Sequence, residues 1–324
     1  MMDPLELRIA EALQCDPRAS WRRVAAALGE NERMIARRGG TLLARRSVVV
    51  AGVRTTGTSM LLRGTCHPGA RATAAESLAT RPEVTFSYML AGAYDVVAEV
   101  FSPATERPYS LDASITPGFA HAETLPILHY FRTIRGWRLG VLSDSERGAL
   151  SLGDEDTMPV THHPEGGSEI DEAIIGSLVD DGRTSIDELA RRAGTSQSTA
   201  RRHLDALIAE DRLHLRALVE PERAGLRTEA LLWLRVAPHR VPQVGTAIAA
   251  DPKARYVAAI AGSSQLVADI TVSGPQALYT YLAESEWAQD IDSVEVSVVA
   301  GARKRGGQLF EAPGATVGHS VASS

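Results

Sequence analysis

The chain has 324 residues, of which 44% are hydrophobic and 23% are charged, and its formal net charge is −6. This composition is typical of a globular protein of two to four domains, and the negative balance excludes a protein that coats nucleic acid over its whole surface. The sequence has no apolar stretch of about 18 residues and no secretory leader, which predicts a cytoplasmic protein that does not bind a membrane.

A long-range repeat determines how the elements are interpreted. Several residues recur 165 positions later (13 to 178, 42 to 207), and further along others recur 170 positions later (82 to 252, 98 to 268). At the first offset the residues are Leu13, Asp16, Arg18, Ser20, Ala25, Gly29, Arg37 and Leu42, which recur as Leu178, Asp181, Arg183, Ser185, Ala190, Gly194, Arg202 and Leu207. We interpret the repeat as a tandem duplication.

The first element is a basic segment, residues 1–54, which we predict to be a helix-turn-helix DNA-binding domain. Its recognition positions hold Asn31, Arg33, Met34, Arg37 and Arg38. Gly39 and Gly40 follow within the same helix, and each mid-helix glycine costs about 1 kcal/mol relative to alanine. We therefore expect a weaker or shortened recognition helix with a degenerate DNA contact. Its arginines would still bind phosphates, because that needs charge more than a regular helix.

Residues 55–142 are predicted to form a small effector or assembly domain, and residues 143–168 an exposed linker without fixed structure. The linker is rich in acids, glycines and prolines. His162 and His163 lie within it, but two adjacent histidines without a third ligand do not indicate a metal site. Residues 306–324 are predicted to be a flexible tail.

Residues 169–219 predict a second helix-turn-helix. An apolar stripe indicates a first helix over about 169–179, which Asp181-Gly182 ends. The Ser185 and Glu188 pair has capping-box spacing and begins a second helix, which Gly194 ends. A third helix follows to about residue 210, and the alternating segment 213–219 suits a wing hairpin.

The outward face of this third helix combines short hydroxyls, an amide and cations. Its residues are Ser196, Gln197, Ser198, Thr199, Arg201, Arg202 and His203. Hydroxyls bind phosphates, whereas glutamine and arginine fit the base edges of adenine and guanine. We therefore predict that this face binds double-stranded DNA in the major groove.

Residues 220–305 alternate between strand-like and helix-like runs in the order βαββαβ. The runs cover 230–236, 241–250, 256–260 and 267–272, then a helix near 276–282 and a strand over 294–299. This order predicts a ferredoxin-like sandwich, with two helices on one sheet face and the other face left to pack on a partner. The fold class is thus α+β, with two winged helix-turn-helix domains and two ferredoxin-like domains in tandem.

The second copy resembles the Lrp/AsnC (leucine-responsive, feast/famine) regulators. The resemblance rests on Ala193-Gly194-Thr195-Ser196, Arg201-Arg202, Leu207 and the exit Glu210-Asp211-Arg212-Leu213, whose middle departs from the family pattern. It implies a regulatory domain that dimerises through its sheet and binds small effectors, often amino acids, so that the chain forms a homo-oligomer or an intramolecular pseudo-dimer.

The family's effector turn is matched at 91–95, where the resemblance implies roles for Gly92, Tyr94 and Asp95. The second copy has Gly262, Ser264 and Gln265 in this region and lacks the carboxylate, which puts amino-acid binding there in doubt. A structural role for each turn, with Asp95 accepting backbone hydrogen bonds, is the alternative.

These observations predict a sequence-specific DNA-binding regulator whose operator is an imperfect palindrome. Two alternatives stay open: an assembly module that has lost DNA reading, and an enzyme similar to the siroheme decarboxylases, which share this tandem architecture. Those enzymes rely on a histidine-bearing strand, and the corresponding segments 84–88 and 254–258 contain no histidine. Because no known catalytic motif is present either, we expect neither catalytic residues nor a cofactor, and we predict that the chain is not an enzyme.

Overall fold

The computed structural model describes residues 1–54, 58–102, 117–151, 167–210 and 212–310. Within them the helices are α1 Pro4–Cys15, α2 Trp21–Leu28, α3 Glu32–Ala44, α4 Arg71–Ala79, α5 Asp144–Leu150, α6 Glu169–Asp180, α7 Ile186–Arg192, α8 Gln197–Ala209, α9 Val241–Ala250 and α10 Pro275–Glu284. The strands are β1 Val48–Arg54, β2 Thr58–Cys66, β3 Val84–Ala91, β4 Val96–Ser102, β5 Phe119–Arg132, β6 Leu213–Val219, β7 Thr228–Arg235, β8 Ala254–Ile260, β9 Leu266–Val272, β10 Ser293–Arg305 and β11 Gln308–Leu309.

Two three-helix units, α1–α3 and α6–α8, are built by the same local signals. Ser20 and Ser185 cap the second helix of each unit by accepting a hydrogen bond from the backbone three residues later. Gly29 and Gly194 adopt φ of 66° and 61° in the turn that follows, a left-handed conformation that favours glycine. The capping box predicted at Ser185 is half formed, because the Glu188 carboxylate binds Arg191 and Arg192 instead.

The prediction of a shortened first recognition helix is wrong. α3 has 13 residues, as many as α8. Gly39 is buried against α2, and a Cβ added to it would lie 2.3 Å from the ring of Trp21. The glycine therefore makes room for a tryptophan whose counterpart in the second unit, 165 positions later, is Ile186. The large Trp21 side chain therefore fills the volume that a side chain at position 39 would occupy.

The two units share a two-stranded ribbon. β6 pairs antiparallel with β1, from Val48 opposite Val219 to Arg54 opposite Leu213. At its centre Ala51 lies opposite Arg216, the residue 165 positions later, so the ribbon is self-complementary. The strand predicted for the wing is present, but its expected local hairpin is wrong, because β6 pairs with β1 from the other half of the chain.

Of the nine other described strands, β11 pairs with β10 and the remaining eight form a closed barrel. Their order is β10-β3-β4-β2-β5-β8-β9-β7, and β10 pairs with both β3 and β7. The long strands β5 and β10 each cross from one half to the other, since β5 pairs with β2 and then β8. The partner for the free sheet face is thus the other half of the same chain.

Side chains from both halves fill the barrel, among them Leu61, Tyr88, Trp233 and Tyr256. α9 and α10 pack outside over β7–β10, and α4 packs outside over β2–β4. The second half follows the predicted order βαββαβ as β7-α9-β8-β9-α10-β10. In the first half, residues 103–116, between β4 and β5, lie outside the described residues.

The segment predicted as a linker begins with a helix. Ser143 and Glu146 form a capping box at the start of α5, and Leu150 is fully buried against α1 and α2. The expectation of an unstructured linker is therefore wrong for residues 144–150. The predicted flexible tail, 306–324, is wrong at its start, because β11 pairs with β10 and Gln308 donates to the Val179 carbonyl at 2.7 Å. His162, His163 and residues 311–324 lie outside the described residues.

Candidate nucleic-acid interface

The predicted reading face lies on the surface of α8. Ser196 caps the helix by accepting a hydrogen bond from the Thr199 backbone at 3.2 Å, and its hydroxyl lies 2.9 Å from that of Ser198. The side chains of Arg201 and Arg202 are exposed on the next turn. The opposite face buries Ala200, Leu204 and Leu207 against α6 and α7. This packing holds the polar face outward with hydroxyls, helix N-terminus and cations on one surface.

Two predicted DNA contacts, His203 and Arg38, lie at equivalent positions and are held within the protein. His203 Nδ1 lies 2.8 Å from Asp171 Oδ1 in the first turn of α6. Burial opposes ionisation of Asp171, but hydrogen bonds from His203 and Ser168 lower its pKa. Arg38 likewise pairs with Asp3, the N-cap of α1. These two side chains fix the recognition helices to their own domains.

Gln197 lies on the reading face beside an acid. Its amide donates a 2.8 Å hydrogen bond to Asp187 Oδ1 in α7, and both residues are exposed. The amide is therefore oriented before any contact with DNA. An adenine edge would have to replace Asp187 as its partner.

The surface of α3 differs in chemistry from that of α8. The Asn31 side chain caps the helix by accepting from the Arg33 and Met34 backbones. Arg33 and Arg37 are exposed, and short hydroxyls like those that begin α8 are absent from the first turn, which is Glu32, Arg33 and Met34. This face offers charge with few groups that distinguish bases.

The two helix-turn-helix units hold each other through a reciprocal pair of arginines. Arg18 donates to the carbonyls of Gly182 and Thr184 at 2.6 and 2.9 Å. Arg183 donates to those of Pro17 and Ala19 at 2.7 and 2.9 Å. Both are half-buried, and burial lowers the pKa of each guanidinium. We call this contact the arginine clasp.

Sequence reasoning missed the arginine clasp although its signal was present. Arg18 and Arg183 both appear in the 165-residue repeat. An arginine in a turn outside the recognition helix has no local reason to be singled out. Only the packing of the two units shows that each arginine reaches the other copy.

The two predicted effector turns have equivalent internal hydrogen bonds. Asp95 Oδ2 accepts from the Cys66 backbone at 2.8 Å, and Gln265 Oε1 accepts from the Val236 backbone at 3.1 Å. Gln265 also donates to the Gly262 carbonyl. The Asp95 carboxylate therefore fixes the turn, as in the structural alternative.

The other predicted effector residues lie around the same barrel end. Gly92 and Gly262 are exposed with φ of 159° and 153°, and Ser264 is half-buried. The Tyr94 hydroxyl donates to Glu123 Oε1 at 3.0 Å, and its ring packs against Trp233 from the second half. The structure therefore brings Tyr94 close to residues that sequence reasoning did not select, above all Arg63.

Comparison with known sequences identifies the DNA-binding unit. The family model described as winged helix-turn-helix DNA-binding matches residues 168–213. An uncharacterized HTH-type transcriptional regulator of Pyrococcus horikoshii is 31% identical over 140 residues, which cover 43% of this chain and 89% of that protein. A counterpart in Pyrococcus abyssi matches equally well, with the same identity and coverage.

Comparison with solved structures extends the likeness to the whole chain and corrects one prediction. A siroheme decarboxylase, NirDL, has a TM-score of 0.60 at 14% identity, covering 92% of this chain and 91% of that one. Its complex with an iron-uroporphyrin III analogue gives 0.61. The prediction that the chain is not an enzyme is wrong as an exclusion, because an enzyme shares this architecture from end to end.

The described residues contain neither a membrane-spanning helix nor a metal-binding cluster. None of their helices has the length and apolarity needed to cross a membrane. They also contain no group of three or more histidine, cysteine, aspartate or glutamate side chains placed to hold a metal ion.

Proposed function

Because the chain belongs to the family of HTH-type transcriptional regulators, we propose that it is a sequence-specific DNA-binding regulator of the Lrp/AsnC type. The observation that carries the proposal is the exposed face of α8, where Ser196, Ser198, Arg201 and Arg202 lie together in a winged helix-turn-helix domain. Hydroxyls and the helix N-terminus bind phosphate, and the arginines reach base edges.

The two recognition helices have unequal roles in this proposal. α8 reads bases, whereas α3 supports it through phosphate contacts from Arg33 and Arg37. The arginine clasp and the β1–β6 ribbon present both helices as one unit. The operator is therefore an imperfect palindrome with one strongly and one weakly specified half-site.

We further propose that a small effector, of the amino-acid class in this family, binds the barrel and changes DNA affinity. The turns at 91–95 and 261–265 contact the same barrel end, where both halves contribute side chains. A ligand there contacts both halves at once, so it can bias their arrangement.

Selection from a random duplex pool, followed by mobility shifts at several salt concentrations, tests the proposal. The variant Arg201→Ala/Arg202→Ala should bind the selected site at least about tenfold more weakly and show a reduced salt slope, because phosphate and base contacts are lost. The control Arg240→Ala/Lys253→Ala removes two exposed cations beside the barrel and should leave affinity unchanged.

Other outcomes are equally informative. No preference for any selected sequence over random duplex contradicts the proposal. Unchanged affinity in the Arg201→Ala/Arg202→Ala variant would favour an assembly module without DNA reading.

A second candidate function, siroheme decarboxylation, has support from the whole-chain fold. Anaerobic incubation with siroheme, followed by mass spectrometry, tests it directly. Loss of carbon dioxide from the tetrapyrrole side chains would support this candidate, and unchanged siroheme would remove it.

A further inference from the structure

A carboxylate lies beside the reading face of the second helix-turn-helix unit. Asp187 is the second residue of α7, and its Oδ1 accepts a 2.8 Å hydrogen bond from Nε2 of Gln197, the first residue of α8. Both residues are exposed. We call these two residues the acceptor pair. Because the N-terminal residues of a recognition helix contact base edges, a DNA partner that reaches Gln197 also reaches this carboxylate.

Asp187 differs from the acid that follows it in the chain. Glu188 accepts hydrogen bonds from Arg191 and Arg192 at 2.5 and 2.6 Å, so its charge is balanced within α7. Among the described residues Asp187 forms no ion pair, because Arg191, the nearby cation, contacts Glu188 instead. A negative charge without an ion-pair partner therefore lies next to the hydroxyls and arginines that suit phosphates and bases.

The acceptor pair retains oxygens that can accept further hydrogen bonds. In the part of the chain that the structure describes, Asp187 Oδ2 and Gln197 Oε1 have no hydrogen-bond partner, whereas Oδ1 and Nε2 bind each other. A carboxylate only accepts hydrogen bonds, so it is repelled by other acceptors. A DNA group that contacts Asp187 must therefore be a donor, which excludes phosphate oxygens.

The four bases differ in what their major-groove edges offer to such a pair. Guanine presents two acceptors, and thymine presents one acceptor beside a methyl group. Adenine presents an amino donor beside the N7 acceptor, whereas cytosine presents an amino donor alone. Cytosine is therefore the base whose edge offers a donor without an acceptor next to it.

We propose that the acceptor pair determines specificity at one base pair, where Asp187 Oδ2 accepts from a cytosine amino group and disfavours the acceptor edges of guanine and thymine. The same carboxylate repels phosphates, so it weakens binding to sequences that lack the cytosine. The inference rests on the proposed function, because it requires that α8 reads DNA.

The first unit has the opposite arrangement of charge at the equivalent positions. Arg22 is the second residue of α2 and Glu32 is the first residue of α3, each 165 positions before its counterpart in the acceptor pair. Both are exposed. A cation at the start of α2 attracts phosphates instead of repelling them. The acceptor pair thus occurs in one unit, and the cytosine is expected only in the half-site that α8 reads.

Selection from a random duplex pool with the unmodified chain and with Asp187→Asn tests the inference. The unmodified chain should select a cytosine at one position of one half-site, and replacing that base should weaken binding about fivefold or more. Asp187→Asn keeps the shape but loses the charge, and its amide also donates. The variant should lose most of the cytosine preference and should bind random duplex about threefold more tightly at low salt.

Asp292→Asn is the matched control. Asp292 is exposed beside the barrel, immediately before β10, so the substitution removes the same charge far along the chain from α8. This variant should keep the cytosine preference and bind random duplex within about twofold of the unmodified chain, because salt screens distant exposed charges.

Two results would overturn the inference: selected sites of the unmodified chain without a fixed cytosine, or an Asp187→Asn variant with the same cytosine preference and the same affinity for random duplex. A chain that selects no sequence at all refutes the proposed function together with the inference. A chain that selects a sequence independently of Asp187 refutes the role of the acceptor pair alone. The Asp187 side chain is exposed, so the variant should fold, and urea unfolding should give an unchanged midpoint.

Discussion

At the scale of single residues, the structure explains why a glycine, which is unfavourable within a helix, occupies position 39 of α3. Gly39 in α3 faces Trp21, whereas the equivalent positions in the second unit are Leu204 and Ile186. A small residue beside a large one fills the same space as two of medium size. Cores tolerate exchanges of this kind when the total volume is kept.

The substitution Gly39→Leu should lower the free energy of unfolding by about 1–3 kcal/mol, because the new side chain overlaps the Trp21 ring. Trp21→Ile alone should also destabilise, since it leaves a cavity. Urea unfolding of the double variant, which reproduces the pair in the second unit, should recover much of the loss. If the losses of unfolding free energy in the two single variants add up in the double variant, the two residues do not compensate for each other's volume.

Buried charges in the barrel make its stability depend on pH. Burial and the neighbouring Glu229 raise the pKa of Asp269 to about 8, while Arg255 and Arg305 oppose the shift. The folded state thus keeps a proton on Asp269 that the unfolded chain releases near its ordinary pKa of 3.8. Its contribution is fully present below that value and is lost as pH rises towards 8.

Asp269→Asn should therefore raise the free energy of unfolding at pH 9 relative to the unmodified chain and change it less at pH 5. The asparagine stays neutral and can still donate to Glu229. Urea unfolding at both pH values measures the difference, with the exposed Asp205→Asn as control. An equal effect at both pH values would show that Asp269 is ionised throughout.

At the scale of elements, the contacts that orient the two reading helices lie outside those helices. The arginine clasp joins the turns before α2 and α7, and the ribbon joins the strands that follow α3 and α8. Each contact is made from both sides by equivalent residues. The spacing between the recognition helices therefore depends on a few polar contacts to backbone carbonyls.

Arg18→Met should relax the dependence of DNA affinity on half-site spacing. The unmodified chain should prefer one spacing by about tenfold over a site lengthened by two base pairs, and the variant by less. Arg8→Met is the control, because Arg8 also donates to a carbonyl, that of Leu28 at 2.8 Å, but within the first unit. If both variants prefer the same half-site spacing to the same degree, the arginine clasp does not set the distance between the recognition helices.

At the scale of the whole molecule, the barrel is closed by one chain. β5 and β10 each pair with strands of both halves, so neither sheet leaves its inner face open for a second chain. A single chain therefore carries two three-helix units and a shared barrel, parts that a symmetric dimer obtains from two subunits.

One chain should accordingly occupy one operator. Native mass spectrometry of the complex with a selected duplex should give a one-to-one stoichiometry, and lengthening the duplex by one helical turn should not add a second chain. Two chains on the minimal site would show that each contributes a single three-helix unit.

The sequence by itself determined the features that depend on nearby residues. The helix cap at Ser185, the left-handed turn at Gly194 and the exposed face of α8 follow from side chains that act within a few positions. The βαββαβ order of the second half follows from hydrophobic periodicity. The 165-residue offset predicted which positions are equivalent.

Only the tertiary structure decided which partner each element meets. Periodicity shows that a strand such as β6 has a face to bury, but it does not show that the partner is β1. The same limit hid the roles of His203 and Arg38, the helix α5 and the surroundings of Arg63. Contacts between residues far apart in the chain depend on how the two halves pack, and no local sequence pattern predicts that packing.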